Sequence, residues 1–298
     1  MSGRRPLREE NPVQTAPQKR ILAISDISCV GKCSLTVSLP VLSACGHECA
    51  VLPTAILSTH TADRFGAFHC RDLTDELTPI VRHWQSLALS FDAIYVGYLT
   101  SADQARLVGS LVDALRGPDT FLLVDPILGD NGALYRGLSD ENIDAIRALC
   151  AGADLITPNL TEAALLLGAP LDTSPETLAD SLSAVGAKKA VLTGVPFGGD
   201  RIGIFSRDYA AAASSAHHTP RAEGMLHGTG DVFASALIGL LLGGMPFPAA
   251  AAAAADFTAD CIERTLCAPD RRWYSIRFEP ELPRLAERLS AVCQPSVD

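Results

Sequence analysis

The sequence predicts an α/β protein built on a doubly wound, mostly parallel sheet flanked by helices. Three observations lead there. Short apolar, β-rich runs recur at residues 21–25, 50–53, 93–96, 121–124, 155–157 and 190–193. Stretches long enough for helices, at 34–44, 74–87, 102–115 and 141–149, lie between the first five runs. The strand runs are apolar on both faces, as a parallel sheet covered on both sides requires.

The elements follow in chain order. Residues 1–19 mix Arg, Glu, Pro and Gln without an apolar segment and are expected to be a disordered tail. From 20 to 298 no linker-like shift in composition or internal repeat divides the chain, so one domain is expected. After Thr193, segments 201–205 and 209–216 suit an antiparallel extension of the sheet, and the last third is mainly helical. The apolar stretch 237–255 is long enough to suggest a membrane span. Gly243, Gly244, Pro246 and Pro248 instead divide it into two helices joined by a turn.

Composition excludes several partners. The 298 residues carry 24 Lys+Arg against 34 Asp+Glu, a net charge of −10, and the lysines are only Lys19, Lys32, Lys188 and Lys189. Such a surface repels nucleic acid and anionic membranes. A phosphate-bearing ligand must be held by local features such as backbone amides or a metal ion. Nine cysteines lack framework spacing, which fits free thiols in the cytoplasm; Cys29/Cys33 and Cys45/Cys49 have no partner set for zinc.

In an open α/β sheet, ligands collect beyond the carboxyl ends of the strands. The polar residues found there are Asp26, 54–61, Tyr98, 125–130, 157–162 and Thr193. The sharpest motif is His227-Gly228-Thr229-Gly230-Asp231, running into an apolar helical stretch. Its glycines let successive amides point at one spot beside a helix dipole, a pocket suited to a transferring phosphoryl group. Asp231 could then accept a proton from an attacking alcohol, or simply cap the helix. A second motif, Val124-Asp125-Pro126-Ile127-Leu128-Gly129-Asp130-Asn131-Gly132, has Tyr135 close behind; a third is Thr157-Pro158-Asn159-Leu160-Thr161-Glu162. Oxygen ligands from these two loops would suit Mg²⁺, which takes few carboxylates, several waters and substrate phosphates. The plainer reading makes Asp130 and Asn131 turn formers and Asn159 a helix cap.

Gly31-Lys32-Cys33-Ser34 is not a P-loop: the upstream glycine is missing, with Asp at 26, and Cys33 replaces the Ser/Thr. Lys32 either is solvated at a helix start or faces the site. His217-His218 reads as a surface loop, and Trp84 and Trp273 as packing or edge residues.

Across roughly 20–265 the chain resembles the pyridoxal kinases of the ribokinase-like superfamily. The stretches that carry this are Leu57-Ser58-Thr59-His60-Thr61, Val96-Gly97-Tyr98-Leu99, the Asp125 segment, Thr157-Pro158-Asn159 with Glu162, and Gly228-Thr229-Gly230-Asp231. The resemblance implies an ATP-dependent kinase acting on a small aromatic alcohol, a B6 vitamer. Asp231 would be the base, and Gly228, Thr229 and Gly230 the anion hole. Asp125 and Glu162 would organise Mg²⁺ and the ATP phosphates, Thr157 and Thr193 would line the nucleotide channel, and Tyr135 would lie on its nucleotide side. Asp26, His60, Thr61 and Tyr98 would face the substrate. A homodimer is implied, and a monovalent cation stays open. Two departures touch the ring side: Asp26 stands where a serine is common, and Thr59 where asparagine is expected. Ser25-Asp26-Ile27-Ser28 is closer to the hydroxymethylpyrimidine kinases, which usually carry Cys at the place of Asp231. Those kinases, a sugar kinase of the same fold and a non-catalytic nucleotide-binding protein are the alternatives.

Overall fold

Strand β1 (Arg20–Ser28) sits inside the sheet because Ile21, Leu22, Ala23 and Ile24 are all fully buried. In this computed structural model, which describes residues 18–222, 224 and 226–292, it pairs in parallel with β2 (Glu48–Leu57) and β4 (Ala93–Val96). Beyond β2 lies the short antiparallel β3 (Cys70–Asp72). On the other side β5 (Phe121–Val124), β8 (Leu155–Ile156) and β9 (Lys189–Pro196) continue the parallel order, and β10 (Arg201–Asp208) and β11 (Ala213–Pro220) close it antiparallel. The order is β11-β10-β9-β8-β5-β4-β1-β2-β3. The expected tail lies outside the described residues except for positions 18 and 19.

Alternate residues of each strand feed two cores, as the period of two dictates. Leu22, Ile24, Leu52, Ile94 and Val96 face one side, covered by α2 (Thr74–Ser86), α3 (Ala102–Leu115), α4 (Asp140–Ala151), α5 (Leu160–Leu167) and α6 (Pro175–Ser181). Ile21, Ala23, Tyr95 and Leu123 face the other, covered by α1 (Leu35–Ala44), α7 (Thr229–Leu242), α8 (Phe247–Leu266) and α9 (Leu282–Val292). Burying each large side chain stabilises by about 1.5–3 kcal/mol. Close packing of α1 on α7 depends on Gly239, where a Cβ would stand 2.5 Å from Cys45 Sγ. The stretch 237–255 is indeed broken, with α7 ending at Leu242 and α8 starting at Phe247; no helix among the described residues is long and apolar enough to cross a membrane.

Two irregularities bear on the site. The β1–β2 register shifts between Ser25 and Ile27, so Asp26 sits at a bulge, a device that re-aims a side chain. The small hairpin β6 (Gly129–Asp130) and β7 (Ala133–Leu134) turns through Asn131 and Gly132, both at positive φ (51 and 80).

One expectation is corrected. His217 and His218 are not in a loop but in β11, because residues 209–212 form the turn and shift the strand to 213–220. There His217 Nε2 pairs with Asp256 Oδ1 of α8 at 2.6 Å, and His218 meets Arg201 Nη1 at 3.3 Å.

Candidate active site

The strand ends and the start of α7 converge. Gly228 has φ 86, and a Cβ there would lie 2.1 Å from the Lys32 carbonyl oxygen, so only glycine fits that turn. A Cβ on Gly230 would come 3.9 Å from Asp125 Oδ2, which places the helix start against the end of β5. Asp231, in the first turn, is 7% exposed and its Oδ1 has no hydrogen-bond partner. Burial pushes its carboxyl up to about 8; the Ser34 amide opposes this, and the charges of Asp125 and Asp26 add to it. A buried oxygen with nothing to accept from is available to an incoming hydroxyl.

Asp125 is held by Thr157, whose Oγ1 donates to its Oδ1 at 2.8 Å. Glu162 Oε1 accepts from the Leu128 amide at 3.2 Å and Oε2 from the Asn159 amide at 2.9 Å, while Asn159 Oδ1 caps α5 through the Glu162 amide. The capping box therefore ties the Asp125 loop to α5. Burial raises both carboxyls, and the charge of Asp125 raises Glu162 further. Asp130 is spent on its own turn, accepting from the Asn131 amide at 2.8 Å and from Asn131 Nδ2 at 3.1 Å.

On the far side of the cleft Asp26 is 2% exposed. It accepts from Ser28 Oγ at 2.9 Å and from Ser34 Oγ, and burial raises its carboxyl despite both bonds. Its partner is not Lys32, whose Nζ meets Glu279 Oε1 at 2.5 Å. Tyr98, after β4, donates its amide to Ser25 Oγ at 3.0 Å, and burial pushes its phenol up to about 12. Thr61 is half-buried, and Thr59 Oγ1 is buried without a partner.

A family model for phosphomethylpyrimidine kinase matches residues 42–272. The pyridoxine/pyridoxal/pyridoxamine kinase of Bordetella bronchiseptica is 28% identical over 270 residues, 86% of this chain and 93% of the relative. The crystal structure of pyridoxal kinase from Lactobacillus plantarum gives a TM-score of 0.83 at 33% identity, covering 92% of this chain and 98% of that one. The chain belongs to the pyridoxal kinase family. It is a kinase with the ribokinase-like fold. A Bacteroides thetaiotaomicron protein crystallised with pyridoxal, a provisional phosphomethylpyrimidine kinase, gives a TM-score of 0.84 at 34% identity over 94% of this chain and 98% of that chain.

Within this kinase not every expected residue has the same freedom. His60 is 5% exposed, and both ring nitrogens are engaged with backbone: Nδ1 accepts from the Ala62 amide at 3.2 Å and Nε2 donates to the Tyr274 carbonyl at 2.9 Å. It can present only a ring edge, and it shapes the loop by packing against Phe65 and His227 at 4.9 and 4.6 Å. Thr193 is half-buried, with its amide on the Pro158 carbonyl at 2.9 Å; Tyr135 is 39% exposed beside the hairpin. The residue that sequence reasoning passed over is Ser34, noted only as the last residue of a failed P-loop and the start of a helical stretch. Its signal is a contact that no local pattern shows: its hydroxyl donates to the buried carboxylate of Asp26.

The donor set fits a divalent metal. Asp125 and Glu162 are buried hard oxygen donors whose charges penalise each other, and a cation would relieve that. Among the described residues no three His, Cys, Asp or Glu side chains form a closed metal cage. An ion held by one or two carboxylates, waters and nucleotide phosphates needs none.

Proposed function

We propose that this protein transfers the γ-phosphoryl group of ATP to the 5′-hydroxymethyl group of pyridoxal or a related B6 vitamer. The observation that carries the reading is Asp231 Oδ1: buried, unpartnered, and part of a carboxyl poised at about 8 in the first turn of α7. A general base works best with a pKa near the working pH. The amides around Gly228, Thr229 and Gly230, at the positive end of a 14-residue helix, would stabilise charge on the transferring phosphoryl group. Asp125 and Glu162 would hold Mg²⁺, which supplies charge neutralisation at the ATP phosphates. Thr157, Thr193 and Tyr135 would line the nucleotide side, while Asp26, Thr61, Tyr98 and the His60 loop would face the ring. A cytoplasmic homodimer completes the proposal, supported by the likeness to pyridoxal kinases.

The substrate class is supported by relatives named for pyridoxine, pyridoxal and pyridoxamine, and by a pyridoxal-bound neighbour at 34% identity. A second reading, hydroxymethylpyrimidine kinase, is favoured by the description of the matching family model and by a carboxylate at position 26. Steady-state kinetics with Mg-ATP and pyridoxal, pyridoxine, pyridoxamine or hydroxymethylpyrimidine decide between them. The proposal expects a higher kcat/KM for at least one B6 vitamer than for the pyrimidine alcohol. The reverse order would transfer the assignment to thiamine chemistry.

A further inference from the structure

Ser34 precedes α1 in a conformation that residues with a Cβ rarely adopt, φ 55 and ψ −130. A serine before a helix ordinarily accepts a hydrogen bond from the first turn. Here no such bond forms; the side chain of Ser34, 4% exposed, donates instead to Asp26 Oδ1. Its carbonyl accepts from the amides of Val37 and Ser38 at 3.0 and 2.9 Å and from Ser38 Oγ at 3.1 Å. A β-bridge to Ile27 ties it to β1. A left-handed serine costs of order 1–3 kcal/mol and persists only where its surroundings over-determine it. Local helix capping has been given up for a bond to the buried carboxylate of Asp26 on β1.

We propose that Ser34 is a positioning residue that fixes the ring-side carboxylate of Asp26 through its hydroxyl. This rests on the reading of Asp26 given under Proposed function. With Asp26 oriented by Ser28 and Ser34, its remaining lone pairs stay aimed at the ring. Ser34 thus sets where the ring anchor stands, and with it how tightly the alcohol is held.

The test is a double-mutant cycle in the full-length enzyme. Ser34→Ala removes the hydroxyl and keeps both the amide and the strained φ. Ser34→Gly removes the hydroxyl and the strain together, so it guards against a folding defect in the alanine variant. Each is made alone and with Asp26→Ala, and kcat and KM are measured on whichever alcohol the parent phosphorylates. Both single variants should lose on the order of tenfold in kcat/KM, the worth of one hydrogen bond to a charged group, mostly in KM. In the Asp26→Ala background the same changes should cost less than about threefold, because Ser34 has lost the group it positions. Equal losses in both backgrounds would mean a merely structural serine and would overturn the proposal, as would a glycine variant indistinguishable from the parent. A parent that uses only the pyrimidine alcohol would refute the B6 reading while the cycle still decides Ser34. A parent that phosphorylates neither would refute both.

Discussion

Replacing Asp231 with asparagine should make the protein more stable and nearly inactive. Asp231 would ordinarily release its proton near 3.8, but in the folded chain it keeps it to about 8. At pH 7 the folded state therefore holds a proton that the unfolded chain has given up across roughly three pH decades, each worth about 1.4 kcal/mol. The sign follows from the raised value. The stability linked to this group is complete below pH 3.8 and drains away as pH climbs toward 8. Asparagine has the same shape and binds no proton. The ceiling on its gain at neutral pH is about 4 kcal/mol, and relaxation with water entry around a buried acid brings the expectation to about 2 kcal/mol. For a chain of this size that is roughly 4 °C in melting temperature. Calorimetry without nucleotide at pH 4.5 and 7.5 measures it: the variant should melt higher at pH 7.5, and the difference should shrink at pH 4.5. Turnover should fall by about 10²–10⁴-fold, as for loss of a general base. A variant that melts lower at both pH values, or turns over near the parental rate, would refute the reasoning.

Other consequences are sharp enough to measure. Asp125→Ala and Glu162→Ala should each raise the Mg²⁺ concentration for half-maximal rate by about tenfold or more, with the alcohol still bound; parental Mg²⁺ titrations would place the metal elsewhere. Glu162→Ala should also lower the melting temperature, since it dismantles the capping box with Asn159, worth about 1 kcal/mol. Gly228→Ala should cut turnover by at least about a hundredfold, because its Cβ would sit 2.1 Å from the Lys32 carbonyl oxygen and displace the loop that leads into α7. Asp26→Ser should cost amino-bearing substrates, pyridoxamine and the pyrimidine alcohol, about 1.5–3 kcal/mol more than pyridoxal. A uniform change across the three would show that Asp26 does not select the substrate.

Much of this was legible in the sequence, for physical reasons. Runs such as 93–96 and 121–124 are short, wholly apolar and bounded by polar residues or glycine, and they are the strands β4 and β5 residue for residue. The glycines of 228–230 announced a tight turn into a helix, and the structure places that turn against Asp125. The end of β10 was harder: the turn at 209–212 passes through Ala212 at φ 49, with no glycine or asparagine to mark it. Strand β3 and the β6–β7 hairpin are too short to carry a periodic signal. The roles of the Ser34 hydroxyl and the His60 ring nitrogens were illegible for a different reason. They lie in contacts with residues elsewhere in the chain, Asp26 for one and the Tyr274 carbonyl for the other. No local pattern encodes such contacts.

The central claim is that Asp231 activates one particular hydroxyl of a B6 ring anchored from the Asp26 side. Pyridoxine tests it most directly, because it offers two hydroxymethyl groups and a phenol to the same site. The product of its reaction with Mg-ATP can be read by phosphorus–proton correlation NMR. The account predicts phosphate on the 5′-hydroxymethyl group alone, and none from the Asp231→Asn enzyme on the same timescale. Phosphate at the 4′-position, or an unphosphorylated pyridoxine beside a consumed pyrimidine alcohol, would contradict it.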